Sequence, residues 1–317
     1  MAVKMAVPNK GRLNERAVEL LLKSGIDLGE EWGRKLYVTA MEQDIEVMFL
    51  RAQDIPAFIA AGAIDIGITG EDLAAESGYK LKKLTDLEFG YCRLSVAAPE
   101  ASGIKKGEDI PNGSKVATSF PNLTKKFFKS IGKDVSIIEI SGAAEIMPHL
   151  GVSDIIVDLV ASGSTLKMNR LAEVSKIMDS QAAVFTSDQS MKKKGPEITD
   201  VVASIKSVMA AEDRKYLMAD VPKSKLGEVE KILPGIGGPT VLNIAGNDKM
   251  VAVHAVIRSK DVYKAVNDLK RLGVPEGPLY KEILEDLKDA KIDMDLKTKE
   301  AESHYLETYL GERGILT

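Results

Sequence analysis

The sequence predicts an α/β protein: a core of two lobes followed by a smaller α+β module. Three observations lead there. Apolar strand-length runs alternate with amphipathic helical segments from residue 3 onward, the rhythm of a mostly parallel sheet. A second unit of the same kind begins near Cys92, which implies two lobes with a cleft between them. Beyond about residue 211 the order becomes β-α-β-β-α, most of a ferredoxin-like (βαββαβ) unit.

In the first lobe, Val3 to Val7 reads as a strand, and Asn9-Lys10-Gly11-Arg12 turns it into a helix from about Asn14 to Ser24. There Ala17, Leu20, Leu21 and Ser24 recur at helical spacing. Ile45 to Leu50 is the next strand. Asp54 and Pro56 start a helix that Gly62 stops, and Ile64 to Thr69 is a buried strand ending at Gly70-Glu71. In the second lobe, RLSVAAP is a strand closed by Pro99, and KVATSF from Lys115 turns through Pro121-Asn122 into the helix LTKKFFKSIG. SIIEIS from Ser136 is a strand, and Gly142-Ala143 is expected to open a helix running to about Gly151. IIVDLV, a further helix, and two short strands within SKIMDSQAAVFT complete the unit. Lys192 to Lys194 reads as a solvated turn before Gly195-Pro196 and a helix from Glu197 to Ala211. The last module has strands at Tyr216–Val221, Thr240–Ile244 and Val251–Ile257, with helices at Lys223–Leu233 and Lys260–Leu272. A charged, helix-favouring tail over 276–312 ends in GILT, a candidate final strand.

Composition removes several classes of function. With 317 residues, 44% hydrophobic, the chain can bury more than one core. A net charge of -4 gives no electrostatic footprint for nucleic acid. The single cysteine, Cys92, excludes an internal disulfide or a Cys-cluster zinc site and fits a reducing cytosol. MAVKMAVPNKGR lacks the apolar core of a secretory signal, and no run approaches the ~18 apolar residues of a membrane span. A cytoplasmic protein is therefore expected.

Parallel sheets bind ligands at the carboxyl ends of their strands, so the turns after strands are the places to search. Four carry useful groups: Asn9 to Arg12, Arg51-Ala52, Gly70-Glu71-Asp72, and Ser162-Gly163-Ser164-Thr165. In the last, small residues leave backbone N–H groups free to converge on an anion, the hydroxyls add donors, and a helix dipole favours negative charge. Helix capping explains the same residues equally well. Asp158, four residues earlier, suits sugar hydroxyls or a hydrated Mg²⁺. Lys10, Arg12 and Arg51 suit polyphosphate, with solvated turn charge as the plainer alternative. Glu71 and Asp72 most simply start a helix. His149, His254 and His304 have no partner at metal spacing, which leaves structural roles. Phosphate-loop, dinucleotide and serine-hydrolase motifs are absent from the sequence.

Six segments in order resemble the ATP phosphoribosyltransferase family: NKGRL at Asn9, RAQDIPAFIAAGAIDIGITGED at Arg51, GYCRLSVAAP at Gly90, KVATSFPNLTKKFF at Lys115, SGAAEIMPHLGVSDIIVDLVASGSTLKMNRL at Ser141, and LPGIGGPTVLNIAG at Leu233. The resemblance implies the long form, with a two-lobed, periplasmic-binding-protein-like catalytic core and a regulatory domain. Its expected division is 1–92 with 182–211, then 93–181, then 212–317. It implies Mg²⁺-dependent joining of N1 of ATP to C1 of phosphoribosyl pyrophosphate, the first step of histidine biosynthesis, by a homo-oligomer, dimer or hexamer. Carried over by residue, Ser162, Gly163, Ser164 and Thr165 surround the donor 5-phosphate, with Asp158 at the ribose or metal and Glu145 beside them. Lys10, Gly11, Arg12 and Arg51 face ATP or pyrophosphate, and Glu71 and Asp72 close the adenine side. Asp220 and Thr240 match positions that bind inhibitory histidine. The sequence departs from the family in placing about 40 residues before its final GILT. A non-catalytic two-lobed binding module, or a nucleotide-sensing regulatory subunit, is the rival expectation.

Overall fold

The computed structural model describes residues 2–29, 35–40, 44–235 and 237–274, with the Arg12 side chain left aside. The charged tail, GILT and His304 lie outside the described residues. The chain forms two compact units, which divide after Ala210.

The first unit contains two sheets. Its elements are β1 (Val3–Pro8), α1 (Arg12–Lys23), β2 (Tyr37–Thr39), β3 (Ile45–Leu50), α2 (Ile55–Ala60), β4 (Ile66–Gly70), α3 (Glu71–Glu76), β5 (Lys82–Asp86), β6 (Cys92–Pro99), β7 (Ser114–Thr118), α4 (Pro121–Ser130), β8 (Val135–Glu139), β9 (Ile155–Val160), α5 (Ser164–Met168), β10 (Leu171–Ser180), β11 (Ala182–Thr186) and α6 (Asp188–Glu212). One sheet has the order β2-β3-β1-β4-β11-β5 and the other β10-β6-β9-β7-β8. In the first, β1 runs parallel to β3 and β4. In the second, β7 runs parallel to β8 and β9. The carboxyl ends of each parallel group therefore share one edge of their sheet.

Strand alternation sends residues to both faces, and each sheet has a core on either side. Met5 and Val7 join Leu20, Leu21 and Ile198 on one face of the first sheet, whereas Ala6 joins Ile55 and Ile59 on the other. In the second sheet Ile155 and Val157 pack with Phe128, while Ile156 and Val160 pack with Ala144 and Leu166. The chain crosses between the sheets twice, through 87–91 and through Gln181. The crossings are tied together where Leu87 N–H donates to the Ala182 carbonyl (2.9 Å) and Ala182 N–H donates to the Phe89 carbonyl (2.9 Å). Gly90 permits this: its φ is +70°, and a Cβ there would lie 2.5 Å from Leu13.

The second unit is the expected α+β module, with β12 (Arg214–Pro222), α7 (Leu226–Ile232), β13 (Thr240–Ile244), β14 (Asn247–Arg258) and α8 (Val262–Arg271). Its antiparallel sheet, β12-β14-β13, has both helices packed on one face through Val221, Val229, Val253 and Leu269.

The structure corrects the sequence reading in three places. The helix expected from Gly142 is only a 3-10 turn, Ala144–Ile146, because Ala143 adopts a left-handed φ of 55° and Pro148 and Gly151 follow. The helix after the serine loop lasts five residues. Arg170 turns left-handed (φ 53°), and β10 then runs ten residues where a shorter strand was expected. The lysine run lies within α6, which kinks at Lys194 ahead of Pro196. Lys192 and Lys193 are exposed, but Lys194 pairs with Asp65 at 2.7 Å, and the two side chains are 12% and 11% exposed. Lys194 Nζ also donates to the Ala2 carbonyl, and Asp65 accepts the Lys4 N–H at 2.8 Å. Strands β2 and β5 were not foreseen.

Removing one partner of such a pair strands a buried charge. Lys194→Ala is expected to destabilise the first unit by about 3 kcal/mol. In urea titration the midpoint should fall with the slope unchanged.

Candidate active site

The serine loop follows β9 at the carboxyl edge of the second sheet. Its position is fixed by two small apolar anchors: Leu166 in α5 and Ala144 in the 3-10 turn both pack on the face of β9 that carries Ile156, Val160 and, by alternation, Asp158. The same packing brings Glu145 to Asp158. Glu145, Asp158 and Ser162, Gly163, Ser164 and Thr165 consequently line one cavity of about 270 Å³.

Gly163 occupies the left-handed region (φ 78°, ψ 4°), which turns the chain sharply into α5. No side chain caps α5. The Ser162 and Ser164 hydroxyls bond each other at 2.9 Å, and Thr165 Oγ1 has no partner among the described residues. Ser162, Ser164 and Thr165 are exposed. With only five residues in α5, the dipole argument weakens, and the loop's own amides and hydroxyls remain as the anion-binding groups.

Asp158 accepts the Leu159 N–H at 2.7 Å. Burial pushes its carboxyl up from 3.8 to about 6, and the neighbouring charge of Glu145 pushes in the same direction. With no basic side chain among the described residues of its lining, the cavity resists the charge on Asp158, whereas a cation or a hydrogen-bond donor entering it would relieve that charge.

Arg93, on β6 opposite Val160, was not singled out in the sequence. Its Nη1 donates to the carbonyl of Ala161, the first loop residue, at 3.2 Å, while its Nε donates to Glu173 at 2.7 Å. Ser95 Oγ holds the same Glu173 carboxylate at 2.8 Å. A charged group in a strand pairing with the next strand over is invisible to motif reading, because only the sheet register joins residues 93, 161 and 173.

On the other lobe, Lys10 and Arg51 are exposed at the carboxyl ends of the adjacent strands β1 and β3, and Gly11 (φ 78°) precedes Arg12, the first residue of α1. Arg51 lies 3.8 Å from Asp54. Glu71 and Asp72 do open a helix, α3, and both carboxylates are engaged within the protein. Glu71 receives Lys83 at 2.6 Å. Asp72, 4% exposed, accepts the Ser180 hydroxyl, and burial raises its carboxyl above the ordinary range. Gly70 makes room for it, since a Cβ there would meet that carboxylate. Among the described residues no group of three or more His, Cys, Asp or Glu side chains could hold a metal ion.

In the second unit, register and alternation put Asp220 and Thr240 on the sheet face that carries no helix. His254 pairs with Thr240 and Met218 on that face and accepts or donates a 2.6 Å bond with the Tyr216 hydroxyl. His149 is exposed in a turn.

Comparison with known proteins settles the family. Residues 51–207 match the family model described as ATP phosphoribosyltransferase, and residues 211–275 match the HisG C-terminal domain. An ATP phosphoribosyltransferase of Methanocaldococcus jannaschii is 42% identical over 275 residues, covering 86% of this chain and 95% of the relative. The chain belongs to the ATP phosphoribosyltransferase family. The Methanopyrus kandleri member is 45% identical over 271 residues, with 86% and 95% covered. A solved complex of ATP phosphoribosyltransferase from Thermotoga maritima, HisG with HisZ, has a chain with TM-score 0.60 and 28% identity. It covers 66% of this chain and 100% of that one. The unmatched third and the match over 211–275 give the long-form architecture. Among the described residues no helix is long and apolar enough to cross a membrane.

Asp158 supplies a test of the site's electrostatics. Its folded-state value lies above the unfolded one, so the folded protein binds the proton more tightly. The resulting cost is absent below about pH 4 and complete above about pH 6, on the order of 2–3 kcal/mol. Asp158→Asn keeps an acceptor for Leu159 and should raise the melting temperature at pH 8 by about 4 °C or more, with little change at pH 4. Scanning calorimetry at the two pH values checks it.

Proposed function

We propose that the cavity at the carboxyl end of β9 is the phosphoribosyl-donor site of the family's reaction. The observation that carries this reading is the convergence of Asp158, Glu145 and the 162–165 loop on one 270 Å³ space. In the reaction, N1 of the ATP adenine bonds to C1 of the donor as the C1–O bond to pyrophosphate breaks. Positive character grows on the sugar and negative charge on the leaving group, so positioning and electrostatics suffice without a covalent intermediate.

In this assignment Ser162, Gly163, Ser164 and Thr165 hold the 5-phosphate with loop amides and hydroxyls, and Arg93 keeps the loop in place. Asp158 accepts the ribose hydroxyls, and Glu145 stands beside it. Lys10, Gly11, Arg12 and Arg51, at one edge of the other sheet, receive ATP or pyrophosphate oxygens, where Arg offers a fork and Lys a point charge. Glu71 and Asp72 shape the adenine side through Lys83 and Ser180. Two carboxylates suit Mg²⁺, which keeps most of its waters and bridges through substrate phosphates. Bound there through Asp158, Mg²⁺ would neutralise charge on the departing pyrophosphate. Asp220 and Thr240 form an effector site for histidine on the open face of the second unit. Assembly as a dimer or hexamer in the cytoplasm completes the reading.

Incubation with ATP, phosphoribosyl pyrophosphate, Mg²⁺ and pyrophosphatase should yield phosphoribosyl-ATP; none formed by folded protein refutes the reading. Thr165→Ala removes a hydroxyl donor to a dianion, a loss of about 1.5–3 kcal/mol. The donor KM should rise about tenfold or more while ATP affinity holds. Added histidine should inhibit wild type and spare Asp220→Ala.

A further inference from the structure

α3 follows β4 in the first lobe, and while Glu71 pairs with Lys83 of that lobe, Asp72 and Glu76 reach the second. Asp72 and Glu76 stand four residues apart, on one face of this helix. Asp72 takes the Ser180 hydroxyl at the end of β10, and the Asp72 N–H donates to the same oxygen at 3.1 Å. Glu76 reaches α4. Its Oε1 accepts the Asn122 N–H at 2.8 Å and its Oε2 accepts the Leu123 N–H at 2.9 Å, while its carbonyl accepts Asn122 Nδ2 at 3.0 Å.

The start of α4 explains why these bonds count. Phe120, its N-cap residue, supplies no side-chain cap. Pro121 has no N–H, and the Thr124 N–H already bonds the Phe120 carbonyl at 3.0 Å. Only the amides of Asn122 and Leu123 are left over in the first turn, and Glu76 satisfies both. The helix in one lobe is thus capped by a carboxylate from the other. Burial raises the Glu76 carboxyl and those two N–H bonds lower it, with Glu139 and Lys125 nearby. Since β7 and β9 are parallel neighbours, the capped end of α4 lies on the same sheet edge as the serine loop.

We propose that Glu76 is a positioning residue that sets the aperture between the two lobes, by serving as the trans cap of α4. Opening the lobes breaks both bonds at once and leaves two amides and a carboxylate to be rehydrated. The aperture therefore has a preferred value. A ligand that touches both lobes binds more weakly by the factor by which the competent aperture is depopulated.

Glu76→Gln tests this with minimal change of shape, because its amide nitrogen cannot accept an N–H bond. Spin labels on non-cysteine handles at the exposed Ala60 and Lys129 report the distance between lobes without any substrate. That readout stands whether or not the transferase reading does. The expected result is a broader, longer distance distribution in Glu76→Gln, and broader still in Glu76→Ala, with near-wild-type circular dichroism. The KM values for both substrates should rise by a similar factor, about five, with kcat within about twofold, as loss of a cap predicts. A distance distribution identical to wild type in both variants overturns the proposal. So does a change confined to faster amide exchange at Asn122 and Leu123, which would make Glu76 a local cap only.

Discussion

Both backbone groups of Ala182 are taken by the opposite crossing, its N–H by Phe89 and its carbonyl by Leu87, and the two-lobed core depends on this junction. Two crossings tied side by side make a ribbon, which resists sliding and leaves bending as the easy motion between the sheets. The sheets themselves are stiffened by cores on both faces, so the soft degree of freedom is confined to a few residues around 87–91 and 181. Gly90 lies in this stretch with a backbone conformation that a side chain would strain, next to a Leu13 side chain that would also have to move. A ribbon fixes where the lobes pivot but only weakly how far. That second quantity falls to contacts beside the pivot, and α3 provides them with Asp72 and Glu76.

The site shows a second tension, between a carboxylate that burial disfavours and a loop that must be held without being filled. Asp158 sits on the apolar-packed face of β9, where Ala144 and Leu166 fix its neighbours. The same packing that positions Glu145 and the loop therefore raises the Asp158 carboxyl to about 6. Stability is given up at neutral pH, and in the proposed donor site that cost places a charge where an incoming ligand can use it. The Thr165 hydroxyl stays unspent, and the loop's anchoring is done elsewhere: Leu166 from below and Arg93, braced by Glu173 and Ser95, at its first carbonyl.

Much of this was legible in the sequence, for identifiable reasons. Alternating patterns disclosed the α/β core and the β-α-β-β-α module, since period-2 and period-3.6 runs are local properties. The turn residues also exposed the search sites: Gly11, Gly70 and Gly163 all fall at strand ends. What escaped was non-local or contextual. Lys194 resembled solvated charge until the kink in its own backbone, ahead of Pro196, aimed it at Asp65, 129 positions away. The helix expected at Gly142 failed because Ala143 took a left-handed conformation that no propensity favours. Glu71 and Asp72 were correctly read as a helix start, but their partners, Lys83 and Ser180, come from other strands.

Parallel strands explain why the Glu76 cap of α4 and the proposed donor site are neighbours. A parallel sheet gathers its carboxyl ends on one edge, and each end hands the chain to a helix whose first amides need partners. After β9 the Ser164 N–H bonds the Ser162 hydroxyl at 3.4 Å, and the proposed donor site leaves the next amides to a ligand; at β7, one strand over, they are filled by Glu76 from the opposite lobe. In the proposed reading the two helix starts use one solution to the same problem, with a substrate as partner in one case and the protein in the other. Where the protein supplies the partner, lobe separation costs hydrogen bonds. Where the ligand supplies it, the donors stay open until binding. Capping by the opposite lobe thus ties the resting aperture to the edge that carries the serine loop.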